Sequence, residues 1–247
     1  MLTSHQFSLR RQKMLIFLEE LQSASGSVQS FYIPAGQPEQ SILIAIRKIV
    51  PQNISADISD LAGKSPTGVV FFWNETKKYL ILPPFPVAQP QKDSSFNMNH
   101  LTTLLKHDFC IALILVRAGA YAIGICQGEK LIGSKVGTGN IHSRQRQGGR
   151  SAKRFEHRRD KQIEYFLTRV CGHAREIILP QIRIVDYIIY GGSREIIQAY
   201  QKQCPLFQQF NNRKLPSLID IHNPNQSVLE ETIFRVWSST IIEWQDI

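Results

Sequence analysis

A chain of 247 residues, 43% hydrophobic and 20% charged, has room for one large domain or two modest ones, each with a core of its own. That balance excludes a disordered chain. No apolar run approaches a membrane span, since residues 14–18 stop at Glu19 and Glu20 without a small-residue cleavage site, so a cytoplasmic protein with no membrane partner is expected. The net charge is +9, and a net six of those nine charges fall between residues 144 and 161.

In chain order, residues 7–23 have helical spacing, with Leu15, Leu18 and Leu21 among charged neighbours. A strand over 28–33 ends at Pro34, and residues 38–49 read as a helix with Pro38 in its first turn. A polar connection follows, then a hairpin of 68–73 and 78–82 around Asn74, Glu75 and Thr76. Residues 83–95, with Pro83, Pro84, Pro86 and Pro90 and no periodicity, read as a linker closing a small α/β domain over 1–90.

A second domain is expected over 105–247. Strands at 109–116, 120–126 and 130–136 form an antiparallel meander, the first two joined by a tight turn at Arg117, Ala118 and Gly119. A loop over 137–150 leads into a long helix from about Ser151 to Arg175, with an apolar stripe through Phe155, Ile163, Phe166, Leu167, Val170, Cys171 and Ala174. A strand at 184–190, a helix through Tyr200, a strand at 218–221 and a last helix capped by Asn225 or Ser227 complete it. Antiparallel strands followed by alternating strands and helices predict an α/β (α+β) fold with a mixed sheet. Cys110, Cys126, Cys171 and Cys204 are scattered, with no C-x-x-C pair; they read as reduced, mostly buried thiols, with no zinc site and no disulfide.

The chemistry concentrates in residues 137–161, GTGNIHSRQRQGGRSAKRFEHRRDK. Arg144, Arg146, Arg150, Lys153, Arg154, Arg158, Arg159 and Lys161 are opposed there only by Glu156 and Asp160. A merely solvated helix face usually mixes both signs, so this segment points to RNA. Its glycines provide backbone freedom and close approach. No Lys-Ser/Thr pair follows at the spacing of a phosphate-binding loop, and the connection is too long for a dinucleotide fingerprint.

Gly148-Gly149-Arg150-Ser151-Ala152-Lys153-Arg154-Phe155, followed by Arg158-Arg159, resembles the GGQ segment of archaeal and eukaryotic class-I release factors, where Gly-Gly-Gln-Ser-Ala-x-Arg-Phe opens a long basic helix. Residues 27–34, 68–73 and 82–86 resemble a shortened first domain of those factors, residues 120–134 the meander before the loop, and residues 187–193 and 218–220 later strands of their middle domain. The chain is similar in particular to the reduced branch typical of actinobacteria and chloroflexi, grouped with the Vms-like peptidyl-tRNA hydrolases of ribosome quality control. The resemblance implies a ribonuclease-H-like topology in the second domain. It also implies hydrolysis of the ester joining a nascent chain to tRNA, with large-subunit rRNA and peptidyl-tRNA as partners and no cofactor or metal. By that resemblance Gly148, Gly149, Gln147, Arg150 and Ser151 are the catalytic candidates, and Arg144, Arg146, Lys153, Arg154, Arg158, Arg159 and Lys161 bind RNA.

At the decisive place the sequence departs from the pattern. Arg150 stands where GGQ has its glutamine, and Ala152 where the Gly-Gly-x-Ser-Gln version has one; Gln145 and Gln147 lie on the other side of the glycines. Two outcomes stay open: hydrolysis carried by the loop backbone, or a ribosome- and tRNA-binding adaptor without chemistry. Only a short polar stretch separates Val50 from Gly68, where release factors place stop-codon-reading elements, and a domain of the kind that recruits a GTPase is not expected from this sequence. By family analogy this favours codon-independent rescue of stalled ribosomes. An unrelated alternative is a two-metal nuclease using Asp186 and Asp220, although neither lies in a carboxylate cluster. His142, His157 and His173 show no ligand spacing and read as surface or RNA-facing residues.

Overall fold

The structure is a computed structural model that describes residues 2–23, 29–46, 52–73, 78–87, 92–93, 98–141, 152–215 and 218–246. In chain order the first elements are β1 (Leu2–Leu9), α1 (Arg11–Ser23), β2 (Gln29–Ile33), α2 (Glu39–Ile46), α3 (Gln52–Lys64), β3 (Val69–Trp73), β4 (Lys78–Leu82), β5 (Lys92–Asp93) and α4 (Asn99–Lys106). They are followed by β6 (Cys110–Arg117), β7 (Ala120–Gln127), β8 (Lys130–Thr138), α5 (Ala152–Ile178), β9 (Tyr187–Gly192), α6 (Arg194–Gln203), α7 (Gln226–Val236) and β10 (Ser239–Asp246), with short 3-10 turns after α5 and α6. The chain forms two units: Met1–His107 with Phe234–Ile247, and Asp108–Ile233.

The first unit is built on a sheet of order β1-β10-β4-β3-β2-β5, antiparallel throughout. All five residues of β3, VVFFW, are buried, as a central strand covered on both faces requires. Their alternation divides the core. Val70 and Phe72 join Met14, Leu18, Leu101 and Leu105 of α1 and α4, while Val69, Phe71 and Trp73 join Ile42, Ile58 and Ala62 of α2 and α3.

Several expectations change here. Residues 2–9 belong to a strand, and the helix begins only at Arg11, because β10 supplies a partner from the far end of the chain. Residues 52–64, read as a polar connection, form α3 with Ile58 and Ala62 in the core. Residues 83–87, read as linker, carry the fully buried Phe85, whose ring packs edge-on against Trp237 at 4.7 Å. Residues 239–246, assigned by sequence to the second domain, hydrogen-bond into this sheet.

The second unit has a mixed sheet of order β8-β7-β6-β9. The β6–β7–β8 meander is antiparallel, and β9 returns parallel to β6. The run CIALILV in β6 is buried throughout. One of its faces packs on Phe166, Leu167, Val170, Ala174 and Ile178 of α5 and on Ile197 and Tyr200 of α6. Gly192 ends β9 at φ +128°, and a Cβ there would overlap the carbonyl oxygen of Val116, so the close of the parallel pair requires glycine. Asn225 caps α7 by accepting the Val228 N–H at 2.9 Å, as expected. Residues 218–221 make no full strand; Ile219 bridges Gly191 and accepts the Gly192 N–H at 2.9 Å.

Cys171 and Cys204 form a disulfide with Cα atoms 5.7 Å apart, correcting the expectation of four free thiols; Cys110 and Cys126 are free and buried. The pair lies 33 positions apart in sequence, and only the tertiary packing of α5 beside α6 brings the sulfurs together. In the chain-entropy account, closing a loop of that length contributes about 3–4 kcal/mol. Adding a thiol reductant should therefore lower the melting temperature of this unit by roughly 10 °C. A melt unmoved by reductant would show that the two thiols are not joined in solution.

Candidate nucleic-acid interface

Helix α5 is the element on which the basic segment is displayed. Successive residues turn about 100° around a helix, so Arg154, Arg158 and Lys161 fall within about 60° of one another while Glu156 and Asp160 point about the opposite way. Every residue from 154 to 158 is exposed. Five consecutive residues sample all sides of a helix, so the first turns of α5 stand clear of the body of their unit. Full burial begins only at Phe166. Phe155, counted by sequence in the apolar stripe, is accordingly 44% exposed, because the sheet does not reach it.

The electrostatics oppose the helix's own stability. The N-terminal end carries the positive pole of the helix dipole, and cations there are unfavourable by about 0.3–1 kcal/mol each. The first turn nevertheless holds Lys153 and Arg154 and no acid. Dipole and side chains together make this end a site for an anion.

Of the RNA-binding candidates, Arg154, Arg158 and Lys161 are exposed on this face. Lys153 lies in the first turn, its side chain outside what the structure describes. Arg159 differs: it is half-buried and lines a cavity of about 720 Å³ with Arg117, Glu164, Glu195, Gln203 and His222. Arg144, Arg146, Gln147, Gly148, Gly149, Arg150 and Ser151, with His142 and Gln145, lie outside the described residues.

The chain on the near side of that segment is anchored. Sequence places Gly137 and Thr138 in the loop, but both belong to β8. The Gly139 N–H donates to the Gly119 carbonyl at 2.8 Å, and a Cβ at Gly139 would sit 2.5 Å from the Phe166 ring, so only glycine passes so close. Arg169 donates to the Thr138 carbonyl and lies over the Phe166 ring at 5.9 Å. Ile141 packs against the core. Residues 142–151 thus run from a fixed strand end to a protruding helix start. Arg169 escaped the sequence reading because its role depends on the end of β8.

The nuclease alternative finds no geometry. Asp186 accepts the Cys110 N–H at 2.8 Å at the start of β9, whereas Asp220 pairs with Arg117 at 3.1 Å beside its end. Six residues of extended strand, roughly 20 Å, lie between. A two-metal site needs its ions about 4 Å apart. Burial, and then the Asp186 carboxylate, push the Cys110 thiol up, and burial pushes Cys126 up to about 12, so neither is an activated nucleophile. His173, expected at the surface or on RNA, is stacked on Tyr121 at 5.6 Å and held by Glu176 at 3.0 Å. No helix among the described residues is long and apolar enough to cross a membrane.

The family model of the actinobacteria/chloroflexi VLRF1 release factor matches residues 110–242, more than half of the chain. Among curated proteins, the chain is 27% identical to peptide chain release factor subunit 1 of Thermococcus sibiricus over 65% of its own length and 39% of the relative's. It is 23% identical to the same factor of Picrophilus torridus over 92% of its length and 62% of the relative's. The chain therefore spans about two fifths to three fifths of these relatives. A solved archaeal translation termination factor, aRF1, aligns over 92% of this chain and 73% of its own, with 18% identity and a TM-score of 0.39. Saccharomyces cerevisiae Dom34, described as a translation termination-like factor involved in RNA quality control, aligns over 94% of this chain and 66% of its own, with 6% identity and a TM-score of 0.30.

Proposed function

The chain belongs to the actinobacteria/chloroflexi VLRF1 release factor family, and on that premise we propose that it acts on stalled ribosomes as a codon-independent peptidyl-tRNA hydrolase. The observation that carries this reading is the protruding, charge-segregated start of α5, with the Gly148-Gly149 segment immediately before it. Arg154, Arg158 and Lys161 meet rRNA phosphates and hold the segment in place, and Lys153, Arg144 and Arg146 are further cations in the same stretch of sequence for RNA to meet. In the reaction, water attacks the carbonyl carbon of the peptidyl ester. The bond from that carbon to the terminal ribose oxygen breaks, the peptide leaves as a carboxylic acid and the ribose regains its hydroxyl. Gly148 and Gly149 admit the backbone to a crowded RNA cavity, where an N–H steadies the developing oxyanion. Gln147 and Ser151 are the side chains available to place water.

Codon independence is supported by residues 52–64, which lie between β2 and β3 and are committed to the core through Ile58 and Ala62. A second reading rests on Arg150, which stands at the motif's glutamine position: the protein binds ribosomes and tRNA as an adaptor without hydrolysis. Comparing ribosome-bound with free peptidyl-tRNA separates the possibilities. The hydrolase reading expects conversion to free peptide at least tenfold faster on ribosomes, because the ribosome positions the ester. Equal conversion of both substrates would make the protein a ribosome-independent esterase, and binding without conversion would leave the adaptor.

A further inference from the structure

The outward face of α5 holds an aromatic ring as well as charge. Tyr165 is 76% exposed, the highest exposure among the large hydrophobic side chains described. It lies four residues from Lys161 and seven from Arg158, so all three share one face, about opposite the buried line of Leu167, Val170 and Ala174. From Arg154 to Tyr165 the stripe runs about 16 Å along the helix, at roughly 1.5 Å per residue. Phosphate contacts alone would need only the cations. A ring left in water contributes nothing to the core, yet interleaved with cations it forms the pattern that holds unpaired nucleotides: charges track the backbone and the ring receives a base.

We infer that Tyr165 is a stacking platform for an unpaired RNA base, seated on the same stripe whose cations grip the strand's phosphates. The inference rests on the ribosome-binding reading and adds what that reading lacks, a preference for single-stranded RNA with bases over bare backbone. Charge complementarity selects RNA as the occupant, since Arg154, Arg158 and Lys161 share the ring's face on its N-terminal side, Glu156 and Asp160 point about the opposite way, and Glu164 lies about 100° round the helix in the cavity lined by Arg159.

The test uses the full chain with a short unstructured oligoribonucleotide and a matched oligomer carrying abasic sites. Wild type should bind the base-containing strand on the order of tenfold more tightly. Tyr165→Phe should keep that preference and Tyr165→Leu should erase it, both with unchanged melting temperature because the site is exposed. The dependence of binding on salt should be the same in all three, since no charge is altered. A preference that survives Tyr165→Leu, that is lost equally in Tyr165→Phe, or that is absent in wild type overturns the inference. Ribosome co-sedimentation separates this from the parent reading. Wild type that pellets with ribosomes while Tyr165→Leu changes nothing sinks only the stacking platform, whereas wild type that fails to pellet sinks the ribosome reading. If Tyr165→Leu weakens pelleting with no base preference in wild type, the ring meets a ribosomal protein and the RNA proposal is wrong.

Discussion

Replacing Arg154, Arg158 and Lys161 together by glutamine should weaken ribosome binding about a hundredfold at 0.15 M salt. Each cation that neutralises a phosphate releases condensed counterions, and each contributes about 0.7–0.9 to the slope of log affinity against log salt. Three lost contacts should therefore flatten the slope by about 2–3, measured by co-sedimentation across a salt series. All three are exposed and lie within one face of α5. Arg159→Gln is the internal comparison, because its side chain is half-buried beside Glu164 and Glu195. It should alter the slope by less than half a unit. An unchanged slope in the triple variant would mean that this face meets solvent.

Gly149→Ala should abolish peptide release while leaving ribosome binding within about threefold of wild type. A Cβ at this position restricts the backbone and blocks close approach to the ester, and loss of a positioned donor at an acyl-transfer site typically costs a hundred- to a thousandfold in rate. Arg150→Gln rebuilds the motif and should raise release by a similar factor. Gln147→Ala asks whether a glutamine before the glycines places water; a rate equal to wild type assigns the chemistry to the backbone. Release by Gly149→Ala at the wild-type rate would remove the glycine pair from the mechanism.

Much of this was legible in the residues, and the exceptions have physical causes. The β3–β4 hairpin and the β6–β8 meander announced themselves through apolar runs and turn residues at short range. The pairing of β1 with β10 did not, because its register joins residues 2–9 to 239–246 and no local pattern encodes so distant a partner. Small polar residues disguised α3, where Ser59 is buried beside Ile58 and Ala62. Scattered cysteines gave no sign of the Cys171–Cys204 bond, which depends on how α5 lies against α6. The basic stripe was visible as composition, but its division into an exposed face and a half-buried Arg159 needed the helix in place. Tyr165 went unnoticed for the same reason: a tyrosine four residues from a lysine reads as nothing in particular until its exposure is known.

Chemistry at the peptidyl ester is open to one direct measurement. Purified protein is added to ribosome–nascent-chain complexes stalled with a sense codon in the A site, and conversion of peptidyl-tRNA to free peptide is followed over time. Slow release that saturates with protein and is indifferent to the codon is the expected result. Complexes that bind the protein yet retain all of their peptidyl-tRNA would contradict it.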